Sequence, residues 1–556
     1  MSVRHFGIFL AYGPTVDLQK EGLGRLLSAF LKAAAAMEDV KFVIACPEWS
    51  KQGLLAFFES QDIPAEAFEI LTTDGVPFFL RIYLALRLRR LRRRKPRFAR
   101  FRARIRSWLP AMLRSVARRL VSARSVVPWL LIAVACVIFG GVLGPVAIVL
   151  WVLLGVWAAL AAGAHLFRRL LKSGRIGAVG KWLATEFNLQ SGESLDVSLY
   201  RLMEEAEVER MLPKINALRH VKAWYSPTAF WPGFNRIAAP RLLCVPDVLP
   251  VEFPVGFAQL EPELLKNFET VERTVRGGEH FVTYSSRVKW DTLVDRYSAS
   301  PDAVSVIPHA SWDLSPWLSI RGFPNQEQAT RRYCERQLQH AFSRTKSPYL
   351  QGLAVALPGG ALKFLFYPSQ FRPNKNLLTL LRAYEYLVRQ RFIPHKLILT
   401  GDPKRSPAVE DFIKDHHLER DILCLHGLTT PELAAFYHLA DLAVNPSLSE
   451  GGFPFTLTEA ISVDTPAVMA RIPVTEEVVE EPALQAMMLF DPYNWQDAAA
   501  RIEWALEHRE SLLHAQRQFC ARLGQRTWHD VVGDYVSVLD RLSADAPVGQ
   551  AEAGWK

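Results

Sequence analysis

Cysteine is scarce in this sequence and is nowhere arranged as a cross-linking framework. The chain has 556 residues and six cysteines, and no two of these cysteines form a Cys-x-x-Cys pair. This scarcity excludes a disulfide scaffold, and the missing pairs argue against a structural zinc site, so a reducing compartment fits best. Disorder is excluded for most of the chain, because 50% of its residues are apolar and only 22% are charged.

Acidic residues are absent from one long stretch. Residues 81–125 hold sixteen arginines and one lysine but no aspartate or glutamate, so the rest of the chain is net acidic although the whole carries +10. A protein that coats nucleic acid would be basic throughout, and we therefore expect no nucleic-acid partner. Apolar side chains among the arginines predict a basic amphipathic segment on anionic inner-membrane lipids. Nucleic-acid binding by the same run is the competing interpretation.

Charge of either sign is missing from the segment that follows. Residues 126–164 are 39 consecutive residues without a charged side chain, which suits two membrane crossings of about 20 residues each. Three glycines and Pro145 near the middle predict a turn. Both flanks are basic, so the positive-inside rule places both in the cytoplasm. We predict a helical hairpin that either crosses the bilayer or dips into it, and a buried helix pair is the alternative.

We also expect no signal peptide, because the first residues resemble a short apolar strand and not a charged n-region followed by a long apolar run. Together with the basic flanks, this predicts a protein of the bacterial inner membrane with its catalytic domains on the cytoplasmic side.

Outside residues 81–180, short apolar runs alternate with amphipathic helices, which predicts parallel, doubly wound sheets. The predicted strands are 5–11, 41–46, 223–226, 241–245, 280–285 and 304–308, followed by 363–368, 396–400, 422–425, 442–444, 467–470 and 488–490. These two series predict an α/β protein with two Rossmann-like domains facing a cleft. The predicted N-terminal domain comprises 1–80 and 181–345, the C-terminal domain with the final helix comprises 346–543, and 544–556 is a disordered tail.

Two cations follow the first strand of the second series. Arg372 and Lys375 lie in a turn between a strand that ends near Pro368 and a helix that begins near Asn376. A helix N-terminus attracts anions, and arginine and lysine both bind phosphate, so this turn suits a diphosphate. A solvated turn with two ordinary surface charges is the alternative, and the local pattern does not decide between them.

Two carboxylates occur in the run "NPSLSEGGFPFTLTEAISVDTPAVMA" at 445–470. Glu450 precedes Gly451 and Gly452, whose missing side chains let a ligand approach the backbone. Glu459 follows at the start of a predicted helix. Such a pair can bind the hydroxyls of a sugar or a ribose. In the alternative interpretation, Glu450 caps the helix and Glu459 is exposed.

This run resembles the signature of the retaining, group 1 (family 4) glycosyltransferases of GT-B fold, in which seven residues separate two glutamates. The matching positions are Pro446, Ser447, Glu450, Gly451, Phe453, Pro454, Glu459 and Ala460. The spacing departs from the family pattern by one residue, because eight residues separate Glu450 from Glu459. The runs "LILTGDP", "LHGLTTPELAAFYHLAD" and "LFDPYNW" also follow family order, so the resemblance covers 363–500.

The N-terminal half resembles the family more weakly. In "YGPTVDLQKEGLGRLLSAFLKA" (12–33), the resemblance implies an acceptor-side loop with Gly22, Gly24 and Arg25. Many members carry a histidine where this chain has Pro246, beside the position of Asp247. The role of that histidine cannot be carried over, and Asp247 is a candidate catalytic residue. For His309 we expect a structural rather than a catalytic role.

The resemblance implies a nucleotide-sugar substrate, retention of configuration and no cofactor. The implied catalytic residues are Arg372, Lys375, Glu450 and Asp247, and the implied donor-binding residues are Arg372, Lys375, Glu450, Gly451, Gly452, Phe453 and Glu459. The two cations would stabilise the leaving diphosphate, Glu459 would bind the ribose hydroxyls, and Glu450 would bind the donor sugar. The chain has no Asp-x-Asp triplet to bridge a metal to the diphosphate, so we expect no metal.

The predicted hairpin extends this interpretation, because a soluble acceptor would not require it. We expect a membrane-bound transferase that adds a sugar to a lipid-linked glycan in bacterial polysaccharide or lipopolysaccharide biosynthesis. Two alternatives remain open: a non-catalytic, transferase-like scaffold of a polysaccharide assembly complex, and a transferase that acts on a phospholipid acceptor.

Overall fold

The computed structural model describes residues 3–16, 18, 22–81, 83–85, 195–253, 263–320, 322–345, 347–356 and 362–545. The predicted hairpin at 126–164, most of the basic stretch at 81–125 and the tail beyond 545 lie outside these residues. Among the residues that the structure describes, no helix combines the length and the apolar character needed to cross a bilayer. The chain divides into two compact units, one formed by Met1–Asp74 with Glu207–Lys556 and the other by Gly75–Ala206.

The first sheet has seven strands, all of them parallel. They are β1 (Arg4–Phe9), β2 (Val40–Cys46), β3 (Phe68–Thr72), β4 (Val221–Ser226), β5 (Arg241–Cys244), β6 (His280–Thr283) and β7 (Val304–Val306). Their spatial order is β3-β2-β1-β4-β5-β6-β7, so the predicted insertion lies in the connection between β3 and β4. Strand β3 was not predicted, because Glu69 interrupts its short apolar run at the edge of the sheet.

The second sheet has six strands, again all parallel. They are β8 (Phe364–Tyr367), β9 (Lys396–Leu399), β10 (Ile422–Cys424), β11 (Leu442–Asn445), β12 (Ala467–Ala470) and β13 (Leu489–Phe490). The order is β10-β9-β8-β11-β12-β13, which is the doubly wound arrangement of Rossmann-like domains. Strands β8, β11 and β12 are buried along their whole length, which explains their continuous apolar sequences. Two parallel sheets were predicted, and the structure confirms them.

Helices connect the strands in both domains. In and around the first sheet they are α1 (Gly22–Ala35), α2 (Glu48–Ser60), α3 (Leu195–Ala217), α4 (Leu249–Glu252) and α5 (Glu263–Arg276). Further along the chain they are α6 (Gln326–Ser343), α7 (Pro348–Ala356), α8 (Leu377–Arg389), α9 (Pro407–Asp415), α10 (Thr430–Leu439), α11 (Phe455–Ile461), α12 (Pro473–Val478), α13 (Pro482–Met488), α14 (Trp495–Glu507), α15 (Arg509–Leu523) and α16 (Trp528–Ala544).

The core of the second sheet begins earlier in the chain than the predicted boundary at 346. Leu314, Leu338 and Phe342 already belong to this core, and the last two lie on one face of the otherwise polar helix α6. The buried Glu432 of α10 fixes α6 in place, because it accepts hydrogen bonds from Arg344 at 2.5 and 2.6 Å. The prediction had assigned residues 326–343 to the N-terminal domain, but the few apolar residues of α6 are buried in the core of the second sheet.

The last helix returns to the first sheet. In α16, Val532, Tyr535 and Leu539 are buried in the core of the first sheet, and the Tyr535 ring centroid lies 5.1 Å from that of Tyr225. The prediction had assigned this helix to the C-terminal domain. Its amphipathic pattern shows that it covers a core, but the pattern carries no information about which of two similar cores that is.

In the second compact unit, the described residues on either side of the insertion contact each other. The ring centroids of Tyr83 and Tyr200 are 4.7 Å apart, and those of Phe79 and Tyr83 are 6.2 Å apart. The chain therefore leaves for the insertion and returns from it at the same place.

Candidate active site

The candidate site lies where the strand order of the second sheet reverses. The chain runs from β8 outward to β9 and from β11 outward to β12 on the opposite side, so β8 and β11 flank the topological switch point. Open α/β sheets bind ligands at the carboxyl ends of the strands at such a point. Arg372 and Lys375 follow β8, and Glu450 follows β11. The fold thus brings the two predicted clusters together.

Lys375 and Glu450 form the central ion pair of the site. The Lys375 Nζ donates a hydrogen bond to Glu450 Oε1, and about a fifth of each side chain is exposed. Burial opposes the charge of Lys375, but the attraction of Glu450 and of Tyr367 outweighs it and raises the pKa of the lysine. Lys375 therefore remains a cation throughout the neutral range.

Asn374, which the sequence analysis did not single out, fixes the two loops to each other. Its backbone carbonyl accepts a hydrogen bond from the Leu448 N–H at 2.7 Å, and its Nδ2 donates to the Ser449 carbonyl at 3.1 Å. The side chain is buried, and its Oδ1 has no hydrogen-bond partner among the residues that the structure describes. Its position between Pro373 and Lys375 was the available signal, because a turn asparagine commonly bonds neighbouring backbone.

Arg372 has a different environment from Lys375. Its side chain is exposed and donates a hydrogen bond to Gln370 Oε1 at 2.8 Å. The helix that follows, α8, begins after Asn376, which adopts a left-handed conformation with φ 51°. The turn thus presents an exposed guanidinium and a partly buried lysine that is held in an ion pair.

Asp247 approaches the same site from the first sheet. It follows β5, and burial raises its pKa to about 6, with the nearby charge of Glu450 adding to the effect. Lys375 and Arg372 act in the opposite direction on this pKa, so all four predicted catalytic side chains lie within electrostatic reach of one another. A carboxyl group with this pKa changes its charge near neutral pH.

The loop after Glu450 packs so closely against the first domain that its two glycines have no room for a side chain. A Cβ on Gly451 would lie 2.0 Å from the Pro246 carbonyl oxygen, and the Ser285 hydroxyl donates a hydrogen bond to the Gly451 carbonyl at 3.0 Å. A Cβ on Gly452 would lie 2.8 Å from Tyr284 Cβ. Both glycines are therefore required for contact between the domains, and they lie in the stretch that is one residue longer than the family pattern.

His309 packs against aromatic side chains beside the loop that follows Glu450. Burial, with a smaller contribution from Arg526, lowers the pKa of His309 to about 3, so the ring is neutral. The ring centroid lies 3.8 Å from that of Tyr284 and 5.3 Å from that of Phe455. These aromatic contacts agree with the expected structural role.

Glu459 is buried in α11 and has two partners. Tyr437 donates a hydrogen bond from its hydroxyl to Glu459 Oε2 at 2.9 Å, and Arg25 donates from Nη2 to Oε1 at 2.5 Å. The Arg25 guanidinium carbon also lies 4.4 Å from the centroid of the Trp312 ring. Arg25, which the resemblance placed on the acceptor side, therefore contacts the predicted donor-side glutamate. Tyr437 and Trp312 were not predicted, because they are distant in sequence and belong to ordinary apolar patterns.

Three further predicted residues differ in their surroundings. A Cβ on Gly24 would lie 1.9 Å from the Leu18 carbonyl oxygen, whereas a Cβ on Gly22 would meet no atom within 4 Å. Phe453 packs on the second core, with its ring centroid 6.3 Å from that of Phe519. Its side chain thus anchors the loop. Within the described ranges, no group of three or more His, Cys, Asp or Glu residues is arranged to hold a metal ion.

Comparisons with known proteins identify the same part of the chain. Residues 357–522 match the family model described as glycosyl transferases group 1. The serotype-specific mannosyltransferase WbdA of Escherichia coli is 29% identical over 200 residues, which are 34% of this chain and 24% of that protein. The O-antigen chain mannosyltransferase RfbU of Salmonella typhimurium is 31% identical over 107 residues, 19% of this chain and 30% of that protein. The chain thus spans about a quarter of the length of the first of these relatives.

The solved structures extend the comparison over the whole fold. The Anabaena protein HepE, solved in complex with UDP and glucose, superimposes with a TM-score of 0.50 at 12% identity, covering 97% of this chain and all of HepE. At this identity the likeness concerns the fold alone. It supports the predicted GT-B arrangement of two parallel α/β domains.

Proposed function

We propose that the protein is a retaining, metal-independent glycosyltransferase that moves a hexose from a nucleotide sugar to a lipid-linked glycan. One observation carries this proposal: Arg372, Lys375, Glu450 and Asp247 converge at the switch point of a group 1 glycosyltransferase domain. Two cations and two carboxylates at this point match what breaking an anomeric carbon–phosphate bond requires.

The cations would serve the leaving group. As the bond breaks, negative charge develops on the diphosphate, and Lys375 and Arg372 are the two cations at the carboxyl end of β8. The buried Lys375 is already oriented by Glu450, so it would need little reorganisation when charge develops. The exposed Arg372 would swing onto the phosphates, where its planar donors can bind two oxygens.

The carboxylates would serve the sugar. The resemblance gives Glu450 the donor sugar and Glu459 the ribose hydroxyls. Asp247 faces Glu450 from the other domain, and its raised pKa suits a group that shares a proton with a sugar hydroxyl. Retention would follow if the leaving phosphate accepts the proton of the acceptor hydroxyl, a route that needs no dedicated protein base. The absence of the family histidine at Pro246 is compatible with that route.

The relatives indicate the class of substrate. WbdA and RfbU are named as mannosyltransferases, and RfbU as acting on the O-antigen chain. We infer transfer of mannose or a related hexose in the synthesis of lipopolysaccharide or a similar surface glycan. The acceptor would be a lipid-linked glycan, because the chain also carries 39 consecutive uncharged residues between basic flanks.

The same segment supports location at the bacterial inner membrane. A hairpin at 126–164 would return the chain to the side it left, and the contact of Tyr83 with Tyr200 supports this geometry. The seventeen basic residues at 81–125 would bind anionic lipid head groups. The catalytic domains would then lie on the cytoplasmic side.

A transfer assay tests this function. Detergent-purified protein and matched bacterial membranes are incubated with radiolabelled nucleotide sugars, and label in the lipid extract is counted. We expect label from one donor, with no dependence on added chelator, and its loss in Lys375→Met. Lys404→Met is the matched control, because Lys404 is an exposed lysine in the turn after the neighbouring strand β9.

Further treatment of the labelled lipid separates the alternatives. Mild acid releases a glycan from a polyprenyl diphosphate but leaves a glycosylated phospholipid intact, so it distinguishes the two acceptors. If the wild type neither transfers label nor binds any nucleotide sugar, the enzyme interpretation is wrong and the scaffold interpretation replaces it.

A further inference from the structure

Arg25 connects three parts of the molecule that the proposed function treats separately. It belongs to α1 of the first domain, and its Nη2 donates a hydrogen bond to Glu459 of α11 in the second domain. Its guanidinium also stacks on Trp312, which lies in the segment between β7 and α6. One side chain therefore contacts both domains and the chain segment that joins them.

Trp312 lies where the two chain crossings between the domains meet. The first crossing follows β7, and the second leads into α16, whose first residue is Trp528. The ring centroids of Trp312 and Trp528 are 6.1 Å apart, at an edge-to-face angle of 82°. The Trp312 backbone N–H also donates a hydrogen bond to Thr458 Oγ1 at 3.2 Å, next to Glu459. A rotation of one domain relative to the other would disturb these contacts.

Arg25 is the cationic partner of Glu459 among the described residues. Glu459 is only 4% exposed, and a carboxylate so deeply buried needs a charged partner. Its other partner, Tyr437, is neutral, because burial and the adjacent Glu459 raise the pKa of Tyr437 well above its ordinary value. Tyr437 comes from the same domain as Glu459, whereas Arg25 comes from the other. The cationic partner of Glu459 therefore comes from the opposite domain, and the contact requires the two domains to be close together.

We propose that Arg25 is a positioning residue for the donor: it holds the Glu459 carboxylate and, through Trp312, makes its orientation depend on domain closure. This inference rests on the proposed function, in which Glu459 binds the ribose hydroxyls of the donor. Donor binding and closure would then be linked, since each favours the same conformation of Glu459. The acceptor-side role that the resemblance gave to Arg25 is replaced by a donor-side one.

A double-mutant cycle tests the inference. UDP and GDP are titrated separately into the full-length protein and into Arg25→Ala, Glu459→Gln and the double variant, and their affinities are measured. We expect Arg25→Ala to weaken the preferred nucleotide by about tenfold, and the double variant to bind no more weakly than Glu459→Gln alone, since residues in direct contact are coupled. Arg25→Lys keeps the charge but loses the planar stack, so it should recover part of the affinity.

Transfer kinetics distinguish a donor-positioning role of Arg25 from a merely structural one. Arg25→Ala should raise the KM for the donor and leave the KM for the acceptor unchanged. Trp312→Leu should act in the same direction with a smaller effect. Thermal unfolding of each variant verifies that it is folded before its kinetics are interpreted.

Four results would overturn the inference. If the effects of Arg25→Ala and Glu459→Gln multiply in the double variant, the two residues act independently. If Arg25→Ala raises the KM for the acceptor while nucleotide affinity is unchanged, the acceptor-side role is correct. If the wild type binds neither nucleotide, the proposed function fails and this inference fails with it. If the wild type and Arg25→Ala bind the nucleotide equally well, this inference alone is overturned.

Discussion

Replacing Lys375 with methionine separates what the central ion pair does for stability from what it does for catalysis. Methionine has a similar length, so the change removes the charge of Lys375 and leaves Glu450 unpaired beside Asp247. Breaking a fully buried pair costs about 3–5 kcal/mol, and an exposed pair contributes at most about 1 kcal/mol. Because about a fifth of each side chain is exposed, we expect a loss of about 2–3 kcal/mol, or roughly 5 °C in Tm.

The catalytic effect should exceed the effect on stability. Losing one oriented charge donor at a developing anion lowers rates by about 10²–10³-fold, so label in the lipid extract should fall by that factor. The double variant Lys375→Met/Glu450→Gln is neutral at both positions. It should regain most of the lost stability, because no unpaired carboxylate remains next to Asp247, but it should regain none of the transfer activity.

The assay compares thermal unfolding and transfer in the wild type, the single variant, the double variant and Lys404→Met. Lys404→Met should match the wild type in both. Recovery of transfer in the double variant would contradict the reasoning, since it would mean that the charge of Lys375 serves only to balance Glu450. A single variant with normal stability and normal transfer would contradict both parts.

Three further predictions concern neighbouring residues. The pKa of Asp247 is raised to about 6 in the folded protein. Between about pH 4 and pH 6 the folded state therefore holds a proton that the unfolded state has lost, so the contribution of Asp247 to stability falls as the pH rises through this range. Asp247→Asn should therefore raise Tm at pH 7.5 and not at pH 4, and an equal effect at both would refute the assignment. Gly451→Ala should lower Tm and abolish transfer, because its Cβ would lie 2.0 Å from the Pro246 carbonyl, whereas Gly53→Ala, in a helix with open space, should stabilise by about 0.5–1 kcal/mol. His309→Phe should keep its transfer rate at pH 7, since the ring is neutral and packed on aromatic side chains, and a loss of more than about tenfold would assign it a catalytic role.

Most of the fold could be predicted from the sequence, because strands that are buried on both faces appear as short, continuous apolar runs. Of the thirteen strands in the described part of the chain, twelve were predicted within a few residues of their positions, and β3 was missed because Glu69 interrupts its pattern. The assignment of helices to domains was less successful. Helix α6 packs on the core of the second sheet although it precedes that sheet in the chain, and α16 packs on the core of the first sheet although it follows the second. Hydrophobic periodicity shows that a helix covers a core, but it does not show which core.

The candidate site was predictable only in part, for a similar reason. Arg372, Lys375 and Glu450 follow strands that the order of the sheet makes neighbours, so their association follows from the predicted fold. The contact between Arg25 and Glu459 joins residues 434 positions apart in different domains. No local pattern specifies such a contact, since it depends on how closely the two domains approach.

Hydrogen exchange with and without nucleotide would test the central claim most directly, because it locates the donor on the intact protein. The peptides to be followed are 368–376 after β8 and 446–459 after β11, in the wild type and in Lys375→Met. We predict that UDP or GDP slows exchange in both peptides of the wild type and has little effect in the variant. Protection confined to other parts of the chain, or equal protection in both proteins, would contradict a donor site at the switch point of the second sheet.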